Sequence, residues 1–458
     1  MEGSLMDRST LTERYLAEVT ARGAKAAELI GRQPEIELLT TNYNGFLSRP
    51  LFLGHEERTR LAADLELFRS ALLSLPDRLF GGDLAAFGEA VGVTGVRLET
   101  MLRSRGASVT RMARTDLCVD ETGFKLLEAN MSSALGGMDN AVMARALLEH
   151  PLLADFAERH GLGCLDTMGE LVATMYAETG LDAESRPVVA MTDWPSSYQE
   201  RWAPILAEFC AHLRDLGVDA HPCHLGEFEY RDGRVWLGGR AVDIVLRIFI
   251  NEDLLESAEA PALMGRVLDA AERGEVHLFA PLEAELYASK AALAMLSDER
   301  NRGLFGADEL AALDRLLPWT RMVRPGAVTL EDGTTADLLD HALANRQELA
   351  LKPTVSHGGQ GIVLGWDESV TAERWREQVA AALDGPYVLQ RRIRPVTELF
   401  PDEDGTLRPW LIVWGVFTMA DGFAGVLARG TAVESGVGVV NVANGAFSGS
   451  ALFELPPA

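Results

Sequence analysis

Four residues in the stretch RTDLCVDETGFKLLEAN have types and spacing that suit phosphate and metal chemistry: Arg114, Asp116, Glu128 and Asn130. Residues i and i+2 of an extended strand face the same way, so Arg114 shares a face with Asp116, and Glu128 with Asn130. The turn DETG between the strands would lay the two pairs side by side. Two carboxylates and a carboxamide are hard oxygen donors. With an arginine beside them they suit Mg²⁺, which takes one or two carboxylates together with substrate phosphate oxygens. A solvent-facing ribbon carrying ordinary charge pairs would use the same residues, and spacing alone leaves both readings open.

A second stretch, LALKPTVSHGGQGIVLG at 349–365, places Lys352 at the end of an apolar run, ahead of a glycine-rich loop. A phosphate loop of the Walker type has its lysine after the glycines, so this is not one. The order predicts a hairpin whose tip offers backbone N–H groups to phosphate oxygens, with Lys352 pointing at the same phosphates. Pro353 removes one ladder donor and keeps Lys352 extended. The alternative is a hairpin tip in which Gly358, Gly359 and Gly361 serve only the turn. Lysine usage bears on this choice. Of the 42 basic residues only Lys25, Lys125, Lys290 and Lys352 are lysines, and the other 38 are arginines. The four are either the remnant of a compositional bias or positions where a compact ammonium cannot be exchanged for a planar guanidinium. Lys290 falls near the start of a helix expected in LYASKAALAMLSD, with Ser289 or Ser297 as its cap, and by itself reads as a surface lysine.

The elements that must position these residues follow from periodicity. TLTERYLAEVTARGAKAAELIGR reads as one amphipathic helix capped by threonine, and EERTRLAADLELFRSALLSL as a second. NYNGFLSRPLFL between them reads as a turn and a short strand. Arg49 there is either a carboxylate-binding residue of a substrate pocket or a surface arginine before a proline turn. DNAVMARALLEH is a helix. After Arg186 the pattern alternates strand, helix, strand: PVVAMTDW, SSYQERWAPILAEFCAHLRDLG, VDAHPCHL, then VDIVLRIFI, APALMGRVLDAAERG and VHLFAP, which makes a small parallel α/β unit. A hairpin turning at Asp232-Gly233 interrupts it. The unit lacks G-x-G-x-x-G, which argues against a dinucleotide site. From Leu349 onward the chain reads as β-rich with one helix, AERWREQVAAALDG. YVLQRRIRPV, RPWLIVWGVFT, FAGVLARGTAV (with Arg429) and VVNVANGAF are the expected strands. Cys210, His212, His221, Cys223 and His224 lie close in sequence but show no C-x-x-C pair, so core cysteines and unrelated histidines are expected rather than zinc.

Composition bounds the partners. The net charge of −26 disfavours nucleic acid and anionic lipid. No apolar run reaches the roughly 18 residues of a membrane helix, and the N-terminus has no apolar signal core. Four scattered cysteines form no disulfide framework, so a cytoplasmic location is expected.

Together the motifs resemble the ATP-grasp ligases, specifically the circularly permuted group typified by glutathionylspermidine synthase, over 114–447. RTDLCVDETGFKLLEAN is similar to that family's R-x-D…E-x-N motif, SKAALAMLSD to its lysine helix, LKPTVSHGGQG to its K-P and glycine-loop hairpin, and FAGVLARG with NGAF to its final sheet. The carboxylate motif precedes both lysines, which is the mark of the permuted group. The resemblance implies a permuted ATP-grasp fold of α+β and α/β parts. Its expected segments are a helical region at 1–100 with a possible substrate pocket, an ATP-grasp segment with the metal motif at 101–185, a Rossmann-like domain at 186–285, and a second ATP-grasp segment at 286–458.

The implied roles are these. Asp116, Glu128 and Asn130 hold Mg²⁺, in all two ions. Lys290 and Lys352 contact the ATP phosphates, with Arg429 beside them, and Ser356, His357, Gly358, Gly359, Gln360 and Gly361 close over the triphosphate. Gln390, Arg391 and Ile393 line the adenine pocket. Arg114, with Lys352, stabilises the transferring phosphoryl group. The implied reaction joins a carboxylic acid to an amine (amino acid, peptide or polyamine) through an acyl phosphate, releasing ADP and phosphate, in an enzyme of a kind that is often a homodimer. The SHGGQG tip lacks the charged pair of the named synthase, and neither the first 100 residues nor any glutathione- or polyamine-binding residues match it well, so glutathione and polyamine are not carried over as substrates. A kinase that transfers phosphate and stops, and a non-catalytic nucleotide-binding protein, are the rival functions.

Overall fold

The structure is a computed structural model describing residues 6–29, 43–355 and 360–455. Its centre is an eight-stranded mixed sheet around one long antiparallel pair, Leu407–Met419 and Gly422–Ala432. The first of these strands is rich in Val, Ile, Phe and Trp, the side chains that fill a pleated surface best. Outward on one side lie Ala113–Asp120 and Gly123–Asn130, and on the other Phe447–Glu454 and then Leu51–Leu53, the last pair running parallel. Both faces are covered. Ala451 and Phe453 pack with the helix His55–Leu73, while Leu452 between them packs with Asn140–Leu148 on the other face, the period-2 alternation of a strand.

The expected parallel unit is present. His277–Phe279, Ile244–Arg247, Val188–Asp193 and Asp219–His224 form one parallel sheet in that order, with Ala203–Asp215 and Ala260–Glu272 among its helices. The hairpin Glu229–Arg231 and Arg234–Leu237 turns at Asp232 and Gly233, whose φ values of 54° and 67° are those of a type I′ turn. A third sheet, antiparallel, orders Thr320–Met322, Tyr387–Arg391, Leu349–Pro353 and Val363–Leu364. The helix Ala372–Ala381 packs into its core through Trp375, whose indole donates to the Ala342 carbonyl at 2.9 Å. Among the described residues no helix is long and apolar enough to cross a membrane.

Four expectations are corrected or refined. The first helix begins earlier than predicted, at Met6, so Thr10 and Thr12 are interior rather than caps, and it stops at Arg22. Gly23 follows with φ of 63°, the left-handed conformation that ends helices. Ala26–Leu29 then forms a separate short turn of helix, and the rest of the predicted stretch lies outside the described residues. VVNVANGAF is not a strand. It carries a single turn of 3₁₀ helix at Val442–Asn444, where Asn441 accepts from the Ala443 N–H at 3.2 Å, and the final strand begins only at Phe447. Arg49 is neither a surface arginine nor a lining residue of the two cavities described below. It is fully buried, donates to the Leu399 and Pro50 carbonyls at 2.9 and 2.8 Å, pairs with Glu398 at 2.8 Å and stacks 4.1 Å from the Phe400 ring centroid. It fastens Glu398–Pro401 to the start of Leu51–Leu53. The cysteines and histidines of 210–224 are engaged separately: Cys210 lies against Met191, Cys223 against Thr192 and His221 against Asp219.

One staple was not visible in the sequence. Arg247, fully buried at the end of its strand, donates to Glu285 at 2.6 Å, to the Ala280 carbonyl at 2.7 Å and to Ser132 at 3.3 Å. The other Glu285 oxygen accepts from Asn251 Nδ2 at 2.6 Å. This ties the parallel sheet to the segment leading into Lys290 and to the loop after Asn130. Removing one member of a buried pair strands the other charge, so Arg247→Ala is expected to lower the unfolding free energy by about 3–5 kcal/mol in urea denaturation.

Candidate active site

The turn of the hairpin 113–130 is set by Asp120, whose carboxylate accepts from the Thr122 N–H at 2.8 Å and its hydroxyl at 2.7 Å, an Asx turn. Pairing outward from Asp120 opposite Gly123 is regular as far as Leu117 opposite Leu126. Continued without change, it would put Leu127 opposite Asp116 and turn Glu128 to the other face. A bulge intervenes: the register shifts between Asp116 and Leu117, so Asp116 faces Glu128 and Arg114 faces Asn130. The four predicted residues therefore meet on one face. Arg114 donates to Asp116 at 3.0 Å through Nε and to the Gly136 carbonyl at 2.8 Å, and Asn130 Nδ2 lies 3.4 Å from Asp116.

Other elements bring further charge to the same place. Arg429, from the long strand Gly422–Ala432, pairs with Asp116 at 2.6 Å. Lys290 opens the helix Lys290–Ser297, which Ser289 caps by accepting from the Ala291 N–H, and its ammonium is 3.2 Å from Glu128. The Lys290 N–H donates to the Thr354 carbonyl at 2.9 Å, tying this helix to the end of the Lys352 strand. Lys352 donates to Gln390 Oε1 at 2.6 Å, and Gln390 donates in turn to Thr320. The predicted hairpin around Lys352 is there, with Ala350 opposite Leu364 and Leu351 opposite Val363. Gln360 and Gly361 are described, the latter at φ of 72°, while Ser356, His357, Gly358 and Gly359 lie outside the described residues.

The electrostatics are unusual for so acidic a chain. Asp116, Lys290, Lys352 and Arg429 are each no more than 7 % exposed, yet the cluster holds four cations against two carboxylates. Burial pushes the Asp116 carboxyl up, but Arg114 and Arg429 outweigh it and bring the pKa from 3.8 down to about 2. Burial, then the neighbouring Lys290 charge, takes Lys352 from 10.5 down to about 8, with Glu128 opposing.

Two cavities meet here. The first, about 490 Å³, lies between the third sheet and the central sheet. Lys352, Asp116, Glu128 and Arg429 line it together with Leu364, Trp366, Ile393 and Val413, and with Gln390, Arg391, Arg392 and Arg394. The second, about 370 Å³, shares Glu128, Arg429 and Asn441 with the first and extends over the ends of the parallel strands. Ligands of open α/β sheets bind beyond the carboxyl ends of the strands.

No family model matches the chain, and no curated protein matches its sequence. Among solved structures, the chain is similar to a glutathione synthetase-like effector (GSS30) from Globodera pallida in its apo form. The TM-score is 0.55 at 11 % identity, covering 97 % of each chain. The two share a fold over nearly their whole lengths. A partial match to D-cycloserine synthetase DcsG has a TM-score of 0.24 and 22 % identity over 52 % of this chain and 71 % of that one, too slight to support an argument.

Sequence reasoning missed several residues of the site. Asn441 lines both cavities from the segment expected to be a strand. Asp193 and Asp253 line the second cavity. Asp193 was findable, near the carboxyl end of the predicted parallel strand PVVAMTDW.

Proposed function

We propose that the chain is an ATP-dependent carboxylate–amine ligase of the circularly permuted ATP-grasp type, forming an amide through an acyl phosphate. One observation carries the reading: the buried cations Lys352 and Arg429, with Arg391, Arg392 and Arg394, line one cavity together with the apolar Leu364, Trp366, Ile393 and Val413, in a chain of net charge −26. A nucleoside triphosphate offers anionic oxygens to the cations and a flat base to the apolar residues, and the volume lies within the roughly 300–1,000 Å³ of small-molecule sites. The synthetase-like fold supports it, as does the second cavity opening beside the same Glu128 and Arg429.

The donor set fits Mg²⁺. Asp116, Glu128 and Asn130 offer hard oxygens on one face, but among the described residues no three His, Cys, Asp or Glu form a metal-holding group. Ions here would rely on nucleotide oxygens to complete their shells, as Mg²⁺ commonly does. When bound, they would neutralise charge on the phosphates. Lys290 and Lys352 would hold the β- and γ-phosphates, and Gln390, Arg391 and Ile393 would border the base. Arg114 would stabilise the phosphoryl group as it passes to the substrate carboxylate. Phosphoryl transfer needs alignment and charge cancellation more than covalent help. The glycine loop would exclude water from the acyl phosphate, which an amine then attacks. The acid, the amine, a cytoplasmic setting and a homodimeric state belong to this proposal.

The test is ADP and phosphate release with Mg²⁺, a panel of carboxylic acids and a panel of amines. Release that needs both an acid and an amine is expected, with Glu128→Ala lowering it by about 10²–10³-fold. Release that needs no amine would replace the ligase by a kinase. An unchanged rate in Glu128→Ala would remove the site assignment.

A further inference from the structure

We propose that the second cavity takes a substrate built of an ammonium group on an apolar body, and that Asp193 and Asp253 hold the ammonium. Its role as the amine substrate rests on the function proposed above; its binding chemistry does not.

Asp193 carries the first observation. It ends the strand Val188–Asp193, lines the cavity and is 3 % exposed. Its carboxylate is held through the Trp194 N–H and Ser197, yet Oδ2 is buried with no hydrogen-bond partner. Buried polar atoms are nearly always paired, and an exception in a cavity wall calls for an occupant. Asp253 is the second. Its Oδ2 accepts from the Ile250 N–H at 2.7 Å, and it lines the same cavity. No ion pair joins an Arg or Lys to either carboxylate among the described residues. Burial raises the Asp193 pKa, and burial with the like charges of Asp193, Glu252 and Glu285 raises that of Asp253 to about 7. These two groups share an uncompensated negative field that a ligand cation would relieve. Glu285, in the same wall, differs, because Arg247 and Asn251 already occupy its oxygens.

The rest of the lining sets the ligand's body. Met191, Trp202, Ile205, Leu206, Phe209 and Ile248 make the wall largely apolar. Trp202 closes a π-turn, Tyr198–Trp202, within the helical run from Pro195 to Asp215, an irregularity often found at binding sites. A fully polar polyamine would waste this surface. An amine with a branched aliphatic or aromatic side chain fits it. The hairpin contributes Arg114, Glu128 and Asn130 to the same cavity, which brings the ammonium-bearing ligand next to the phosphate cluster.

The experiment is calorimetric titration of the full chain, with and without ADP and Mg²⁺, using phenethylamine, 3-methylbutylamine, N-acetylphenethylamine and phenylacetate. The two amines are expected to bind at least tenfold more tightly than the neutral amide and the anion, and Asp193→Asn and Asp253→Asn are each expected to weaken them at least tenfold. Thermal melts report whether each variant folds; the ligand-charge comparison on the native chain needs neither variant. Equal binding of amide or anion, binding of neither amine, or folded Asn variants that keep native affinity would each overturn the proposal. The readout requires no turnover. Amine binding in a protein that never releases ADP would sink the ligase reading and leave this one standing, whereas ADP release alongside failed amine binding would do the reverse.

Discussion

Lys352→Met is expected to raise the stability of the nucleotide-free protein at pH 7 while lowering ATP turnover by at least about 10²–10³-fold. The two effects have one cause. The Lys352 ammonium is 7 % exposed, beside Lys290, and its pKa falls from 10.5 to about 8. A folded pKa below the unfolded one means that the unfolded chain binds the proton more tightly. Stability therefore rises with pH between about 8 and 10.5, and below pH 8 the full penalty, about 3 kcal/mol, is present. Methionine has similar length and no charge to desolvate. Its cost is the loss of the donor to Gln390 Oε1, about 1–3 kcal/mol. The balance is a gain on the order of 1 kcal/mol. Guanidinium denaturation at pH 7.5 and pH 9.5 checks it: the native chain should gain stability between these values and the variant should not. A variant less stable than the native chain at pH 7.5, with the same pH slope, would show that Lys352 is not held against its own charge. If Lys352 holds a nucleotide phosphate as proposed, nucleotide affinity should fall as pH rises past 8.

The contrast between what the sequence made readable and what it hid has physical causes. Parallel strands and amphipathic helices were legible because burial on both faces, or on one stripe, imposes a period that composition cannot mimic; Val188–Asp193 and His55–Leu73 appear where the pattern put them. The pairing of Arg114 with Asp116, and of Glu128 with Asn130, followed from alternation alone. Their meeting did not, because counting back from the Asp120 turn points Glu128 the wrong way, and one bulge restores it. Bulges leave no reliable trace in residue types. Arg49 and Arg247 were opaque for another reason: a buried arginine and a ligand-binding arginine are the same residue in a sequence, and only the carbonyls around Arg49 and the Glu285 beside Arg247 separate them. The lysines were more informative. Three of the four, Lys125, Lys290 and Lys352, are buried, which a mere compositional remnant would not produce. Lys125 shows the limit of that signal, since it donates to the Arg315 carbonyl and lines neither cavity. VVNVANGAF failed as a strand because apolar residues that line a cavity resemble those that fill a sheet.

Asp116→Asn is expected to be both unstable and inactive, and the two losses can be separated. Asp116 is 3 % exposed and is the common partner of Arg114 and Arg429, at 3.0 and 2.6 Å. The amide keeps the shape but removes the charge, leaving the buried Arg429 and the largely buried Arg114 without their shared counter-charge, a loss of up to about 3–5 kcal/mol. The pH dependence identifies the cause. Its folded pKa, about 2, lies below the ordinary 3.8, so the charge contributes stability that is complete above about pH 4 and is lost as pH falls toward 2. Native chain and variant should therefore converge in stability over that interval. Adding Arg429→Met removes one stranded cation, and the double variant should be more stable than Asp116→Asn alone, a coupling that a double-mutant cycle measures directly. Turnover should not follow. If Asp116 anchors Mg²⁺ against the phosphates, the stabilised double variant remains far less active than Arg429→Met alone. If activity returns with stability, Asp116 serves only to hold the two arginines apart, and the metal assignment would rest on Glu128 and Asn130 alone.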